Sequence, residues 1–218
     1  MYMKFPPLVI PYDTAEYDFR TPVQNALCIQ DLSKLHLDER LRDSTLRVRE
    51  DDQGSEAHKR YYKRIGDTGF YDTYRRFVHS VVAPLIGEPI FYQTVPTFRV
   101  HQPGNKAVGE FHTDSMYGHQ KAAMNFWVPL TESYGSNALY VSQTGDEADA
   151  TPQQVSYGSL IIFDAVGTLH GNKINTTRDT RVSFDFRTIP RSQYVPSTET
   201  SVNTGVPLVV GSYYSEMD

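Results

Sequence analysis

A shortage of cysteine is the first informative property of this 218-residue chain, which contains only Cys28. No intramolecular disulfide can form, and a metal site built from several cysteine thiolates is excluded. Disulfide-free chains are typical of reducing compartments. Long apolar runs are also missing, since none approaches the roughly 20 residues that a spanning helix needs. The start of the chain lacks the basic and apolar regions of a secretory signal. We therefore expect a cytoplasmic protein with no membrane association.

An excess of positive charge is absent as well. Lysine and arginine together number 21 against 26 acidic residues, which gives a net charge of −5 with both signs mixed along the chain. Neither a basic block nor an acidic tail is present, so the composition disfavours a nucleic-acid partner. We expect the partner to be a small-molecule substrate.

The length and the residue pattern predict a single domain over 1–218. Its expected parts are a mixed helical preface at 1–89, a β-rich core at 90–190 and a C-terminal tail at 191–218. The apolar run at 206–210 favours packing of the tail against the core, with a lid or a dimer contact as the alternatives. In the preface, residues 26–29 are compatible with a short strand.

Two helices are predicted before residue 90. The first begins with Ser55 and Glu56 and runs to Gly66. The second follows from apolar residues that recur on one helical face at 70, 74, 77, 78, 81 and 82, with Asp67 or Thr68 as its expected cap.

Beyond residue 90 the pattern changes to short runs of β-branched and aromatic residues separated by turn residues. The predicted strands cover 90–95, 97–102, 109–113, 121–129, 137–142, 153–157, 159–164, 168–173 and 180–188. Nine short strands in about 100 residues, after a helical preface, favour a mainly β double-sheet jelly roll with helices packed outside.

Two histidines and one aspartate form the candidate metal site. His112 and Asp114 lie two residues apart, so on a strand both side chains point to the same face. His170 follows 56 residues after Asp114, in a Thr-Leu-His-Gly segment. Two imidazoles and one carboxylate suit Fe(II) and leave three coordination positions open. The remaining histidines at 36, 58 and 79 fit ordinary structural roles.

A candidate anion anchor follows eleven residues after His170, at Arg181. Arginine presents a planar fork that matches a carboxylate, and Ser183 adds a hydroxyl on the same face of the strand. A buried arginine is costly without a partner. That partner is either an anionic ligand or an internal carboxylate, with Asp185 and Asp164 as the alternatives.

These motifs resemble those of the Fe(II)- and 2-oxoglutarate-dependent oxygenases, and the resemblance covers about residues 90–190. The segments 98–112 and 125–130 are similar to a branch related to streptomycin-biosynthesis oxygenases. The resemblance implies a double-stranded β-helix of cupin-like type, with His112, Asp114 and His170 binding iron. It also implies that 2-oxoglutarate chelates the iron while Arg181 and Ser183 hold its C5 carboxylate. Oxygen is then the second co-substrate, and succinate and CO₂ are products.

Further residues are candidates for binding. Asn125 lies on an interior strand, where it can donate to 2-oxoglutarate or close a strand irregularity. Arg99 and His101 share a face of the preceding strand and are candidates for binding the substrate, or else a surface face. Tyr117 and His119 follow Asp114 in a loop of the kind that carries specificity.

The predicted reaction is hydroxylation of a small polar metabolite. Related halogenases have a small residue in place of the carboxylate, and Asp114 disfavours that chemistry; desaturation, ring closure and epimerisation use the same ligands. Two other functions stay open. One is a cupin-like metalloenzyme that does not need Arg181 and Ser183. The other is a non-catalytic jelly roll that binds a ligand without iron.

Overall fold

The structure, a computed structural model, describes residues 5–43, 53–107, 110–202 and 204–217. Its described strands form two antiparallel sheets, as a jelly roll requires. The larger sheet has the order β1-β7-β4-β9-β2-β10, with β3 also paired to β9, and the smaller sheet has the order β6-β5-β8. The strands are β1 (Leu8–Pro11), β2 (Ile90–Gln93), β3 (Thr97–His101), β4 (Met124–Pro129), β5 (Leu139–Val141), β6 (Thr151–Gln153), β7 (Ser159–Phe163), β8 (His170–Gly171), β9 (Arg181–Pro190) and β10 (Tyr214–Glu216).

Strand β9 organises the larger sheet, because β2, β3 and β4 all pair with it. All ten of its residues are buried. Its even-numbered residues Val182, Phe184 and Phe186 belong to the main apolar core. Its odd-numbered residues face the opposite side, because strand side chains alternate, and that side holds the candidate site.

The helices pack on the apolar face of the larger sheet. Phe184 lies with its ring centroid 4.9 Å from that of Phe19 and 5.3 Å from that of Phe70. The helices are α1 (Arg20–Leu27), α2 (Glu56–Arg64), α3 (Phe70–Phe77) and α4 (Ala83–Ile86), with a π-helical turn at Val78–Val82 between the last two. Short 3₁₀ segments cover Leu32–Leu37, Ile65–Thr68, Asp114–Tyr117, Gly135–Asn137, Glu147–Asp149 and Arg191–Gln193. None of the helices formed by described residues is long and apolar enough to cross a membrane.

Both predicted helices are confirmed, with shifted ends. Ser55 caps α2 by accepting a hydrogen bond from the backbone N–H of His58 at 3.3 Å. The second begins at Phe70 after Gly69, not at Asp67 or Thr68, because residues 65–68 form a 3₁₀ turn of their own. The short strand expected at 26–29 is wrong. Those residues end α1, where Ala26 and Leu27 are buried and Cys28 takes a left-handed conformation with φ of 58°.

Most predicted strands are present but shorter than expected. Within 110–113, the described part of one predicted strand, only His112 forms a bridge, with His170. The strand expected at 153–157 lies mainly before it, at β6. The edge strands β1 and β10 were missed, because each has three or four residues and too few alternations to form a pattern.

The C-terminal tail packs on the sheet, as the sequence favoured. Leu208 is buried in an apolar cluster with Phe91 and Ile189, and β10 pairs with β2. Tail residues also line a cavity of about 480 Å³. The tail therefore packs on the sheet and also lies beside this cavity, where a lid would lie.

Candidate metal centre

The backbone brings the two candidate histidines side by side. His112 and His170 exchange two hydrogen bonds, each 2.9 Å from amide nitrogen to carbonyl oxygen. Such a hydrogen-bonded antiparallel pair places both side chains on one face of the sheet. The imidazole ring centroids lie 4.4 Å apart.

Backbone carbonyls fix the orientation of both rings. His112 Nδ1 lies 3.1 Å from the carbonyl oxygen of Glu110, and His170 Nδ1 lies 2.9 Å from that of Thr168. A carbonyl oxygen only accepts, so each Nδ1 carries the proton and each Nε2 presents a lone pair. Burial lowers the pKa of both imidazoles, that of His112 to about 3. Both rings are therefore neutral, as metal ligands must be.

Asp114 completes the triad at the start of the 3₁₀ segment Asp114–Tyr117. Its Oδ1 atom lies 3.8 Å from Nε2 of His112 and 3.8 Å from Nε2 of His170. This oxygen is buried and has no hydrogen-bond partner in the described structure. The three ligand atoms lie within 4.8 Å of one another. A buried, unpartnered carboxylate oxygen facing two imidazole lone pairs fits a divalent cation, in the facial arrangement of two histidines and one carboxylate.

The second oxygen of Asp114 is held by an arginine that the sequence pattern did not single out. Arg187 Nε donates to Asp114 Oδ2 at 2.7 Å. Burial by itself would raise the pKa of Asp114, but the charge and hydrogen bond of Arg187, together with the neighbouring imidazoles of His170 and His119, hold that pKa well below the usual range. Arg187 was detectable in principle, because it continues the odd-numbered series of Arg181 and Ser183 on β9.

Gly171, the glycine that follows the second histidine, lies where two backbone segments approach each other closely. A Cβ atom added there would lie 2.8 Å from Cγ of the Phe111 side chain and 3.0 Å from its Cα. Phe111 precedes His112, so a side chain at 171 would push apart the two segments that carry the histidines. Glycine is the residue that permits this close backbone approach.

Arg181 is fully enclosed and has no acidic partner among the residues that the structure describes. It is 1% exposed, its Nε donates to the carbonyl oxygen of Asn137 at 3.1 Å, and its Nη1 donates to Ser183 Oγ at 2.9 Å. It forms no ion pair with any described carboxylate, whereas Asp185 pairs with Arg99 and Arg187. Burial lowers the pKa of Arg181 to about 9. The internal-carboxylate alternative is therefore wrong for the described residues.

A small pocket connects Arg181 with the triad. Its lining includes Arg181, Asn125 and Trp127 as well as the two histidines of the triad, His112 and His170. The Oδ1 atom of Asn125 is buried without a hydrogen-bond partner. Because Arg181 forms no ion pair with a described carboxylate, its cation gives this pocket the main feature of an anion site beside the candidate metal ligands.

The four candidate substrate residues separate into two groups. Tyr117, His119 and Arg99 line a cavity of about 480 Å³ that also contains His112 and Asp114. Arg99 additionally lines the small pocket. His101 lines neither of them. It is 0% exposed, and its Nδ1 lies 3.5 Å from Nη2 of Arg181. It therefore contacts the arginine without lining either cavity.

No protein-family model matches the chain. Solved structures, however, share its fold. The non-heme α-ketoglutarate-dependent carbocyclase SnoK from nogalamycin biosynthesis superposes with a TM-score of 0.56 at 14% identity, over 87% of this chain and 81% of that one. EctD from S. alaskensis with bound Fe gives 0.52 at 18% identity, over 88% and 75%. The fold and the triad thus define a double-stranded β-helix protein with a candidate metal centre of two histidines and one aspartate.

One curated relative is close enough to place the sequence. The streptomycin biosynthesis protein StrG of Streptomyces griseus is 36% identical over 203 residues, which cover 93% of this chain and 94% of the relative. The chain belongs to the family that contains this streptomycin biosynthesis protein.

Proposed function

We propose that this protein is an Fe(II)- and 2-oxoglutarate-dependent oxygenase that hydroxylates a small polar metabolite in specialised metabolism. The observation that carries the proposal is the buried Arg181, which forms no ion pair with a described carboxylate and lines a pocket together with His112 and His170. A cupin-like metalloenzyme without 2-oxoglutarate does not need such a cation, and a non-catalytic jelly roll does not need the three candidate metal ligands.

The residues of the triad suit iron. His112, His170 and the free oxygen of Asp114 would hold Fe(II) and leave positions for 2-oxoglutarate and oxygen. Bound iron would activate oxygen as the oxidant, with two electrons supplied by 2-oxoglutarate and two by the substrate. The names of the fold neighbours are in accord, since EctD contains Fe and SnoK depends on α-ketoglutarate.

The residues around Arg181 would bind the distal carboxylate of 2-oxoglutarate. The guanidinium lines the pocket, and its Nη1 donates to the Ser183 hydroxyl, which could itself donate to a carboxylate. Asn125 lines the same pocket as a further polar group. Water is excluded there by burial, which strengthens a charge-assisted hydrogen bond.

Hydroxylation is the reaction that the ligand set favours over halogenation, because Asp114 fills the anionic position that a chloride would need. The same fold also serves other outcomes. SnoK is described as a carbocyclase, and SnoN, which superposes with a TM-score of 0.53 at 15% identity, is described as an epimerase.

The cavity beside the triad supports an uncharged substrate that carries hydroxyl groups on a partly apolar body. Its volume of about 480 Å³ suits a compact metabolite. Its fully charged described residues are paired, Arg99 with Asp185 and Arg187 with Asp114. The rest of the described lining exposes mainly apolar atoms, and it includes the following neutral hydrogen-bonding side chains: Gln53, Tyr62, Gln93, Thr94, Thr97, Tyr117, Ser201, Thr204, Ser212 and Tyr213.

The test combines variants with product analysis. His112→Ala, Asp114→Ala and His170→Ala should each abolish Fe(II)-dependent formation of succinate from 2-oxoglutarate, because each removes one of three protein ligands. Circular dichroism checks that the fold is retained. Full activity in any folded variant would remove that residue from the site.

A metabolite screen then tests the substrate class. Neutral polyols and glycosides should stimulate 2-oxoglutarate turnover more than amino acids or phosphorylated sugars of similar size. Stimulation by charged metabolites alone would contradict the proposed class. Turnover of substrate without 2-oxoglutarate would favour the cupin-like alternative, and absence of iron binding would favour the ligand-binding one.

A further inference from the structure

The two oxygens of the Asp114 carboxylate have different surroundings. Oδ1 faces the histidines and is unpartnered in the described structure, whereas Oδ2 accepts from Arg187 Nε at 2.7 Å. A carboxylate can rotate and offer both oxygens to a cation. A charge-assisted hydrogen bond to one oxygen opposes that rotation.

Arg187 is itself held on several sides. Its Nη1 lies 3.3 Å from the hydroxyl oxygen of Tyr213 and 3.4 Å from Oε1 of Gln93. The same nitrogen lies 3.5 Å from Asp185 Oδ2. Tyr213 comes from the C-terminal tail, whereas Gln93 ends β2. The guanidinium is therefore held by β2, by the tail and by a neighbour on its own strand, and these contacts oppose any movement that would follow Asp114.

Two roles for Arg187 are distinguishable by the sign of their effect. If Arg187 only neutralises charge, it competes with the metal for Asp114, and its removal should strengthen metal binding. If it orients the carboxylate, its removal should weaken metal binding. Groups that orient metal ligands typically account for about 10–100-fold in affinity.

We propose that Arg187 is a positioning residue that fixes Asp114 as a one-oxygen metal ligand, and that Tyr213 of the C-terminal tail completes this clamp. The proposal rests on the metal-binding part of the proposed function. The tail thereby acts on the metal centre through two contacts in series, from Tyr213 to Arg187 and from Arg187 to Asp114. It also lines the cavity.

The experiment measures binding of Co(II), alone, to the purified full chain by calorimetry and by visible absorption. Wild type and His112→Ala first establish that the triad binds the metal. Arg187→Met keeps the approximate length of the side chain and removes the fork. It should lower Co(II) affinity about 10–100-fold and change the spectrum of the bound ion. Arg187→Lys retains the charge and should restore neither property fully.

Two tyrosine variants provide a matched pair that avoids loss of the buried cation. Tyr213→Phe removes the hydroxyl that contacts Arg187 and should weaken Co(II) binding in the same direction by a smaller factor. Tyr194→Phe removes a hydroxyl that accepts from the tail backbone at Val210 and should leave Co(II) binding unchanged.

Each outcome decides the question. Unchanged or tighter Co(II) binding in folded Arg187→Met, with an unaltered spectrum, would show that Arg187 only balances charge. If Arg187→Met does not fold, equal Co(II) binding by Tyr213→Phe and Tyr194→Phe would overturn the clamp. Absence of Co(II) binding by the wild-type protein would instead contradict the proposed function.

Discussion

The variant Arg181→Met distinguishes a ligand-binding role of the Arg181 guanidinium from a purely structural role. If Arg181 had an internal carboxylate partner, Arg181→Met would leave a buried unpaired charge and cost about 3–5 kcal/mol. Among the described residues it has no such partner. The fall of its pKa from 12.5 to about 9 corresponds to roughly 5 kcal/mol of burial cost in the ligand-free protein.

The variant relieves this cost and introduces another. The carbonyl oxygen of Asn137 and the hydroxyl of Ser183 lose their donor from Arg181, at about 1–3 kcal/mol for each group left unpaired. The two effects are similar in size and opposite in sign. We therefore expect the free energy of unfolding of ligand-free Arg181→Met to stay close to that of wild type.

The response to 2-oxoglutarate should differ sharply. At a concentration of about 100 times Kd, a ligand stabilises by about 2.7 kcal/mol, which raises the melting temperature of a chain of this size by roughly 5–10 °C. Loss of a buried charge-assisted pair costs about 2–5 kcal/mol. The same concentration should then shift the melting temperature of Arg181→Met by about 3 °C or less.

The assay is thermal unfolding with Co(II) present, with and without 2-oxoglutarate. Arg178→Met provides the control, because Arg178 is exposed and close in sequence. An undiminished 2-oxoglutarate shift in Arg181→Met would refute the anchor assignment and turn attention to Arg99. A large loss of ligand-free stability would refute the absence of an internal partner.

Two further predictions concern the metal ligands. Asp114→Gly should lose most metal affinity, and chloride should partly restore it, because the vacated position lies beside the Arg187 cation; Co(II) titration with and without chloride measures this, and wild-type affinity in chloride-free buffer would remove Asp114 from the triad. Gly171→Ala should weaken Co(II) binding while the secondary structure stays intact, because the added Cβ meets Phe111 at 2.8 Å. Wild-type Co(II) affinity in Gly171→Ala would show that the two segments can separate without harm.

Local spacing was sufficient to pair two of the candidate metal ligands, whereas the third, His170, lies 56 residues further on. The two-residue interval of His112 and Asp114 predicted a shared face, and the structure brings both to His170, although Asp114 lies at the start of a 3₁₀ segment instead of on a strand. The helical face from Phe70 to Val82 was equally readable. These features follow from fixed backbone periodicities that a short stretch of sequence expresses by itself.

Local spacing in the sequence did not predict which charged residues form ion pairs with one another. The odd-numbered residues of β9 were visible as one face, yet their pairing depends on the register with β3 and β4. Asp185 was a candidate partner for Arg181 but joins Arg99 and Arg187 instead. His101 shares a face with Arg99 on β3, but tertiary packing encloses it against Arg181.

The sequence by itself determined the two helices after residue 55 and most of the strands, because each is encoded by residues near one another in the chain. It also supplied the candidate metal ligands and the candidate anchor motif as residue types. Only the tertiary structure decided that Arg187 holds Asp114 from 73 residues away and that Tyr213 reaches them from the tail. Such contacts depend on strand order and on where the chain returns, and a buried charge takes the partner that this arrangement brings within reach.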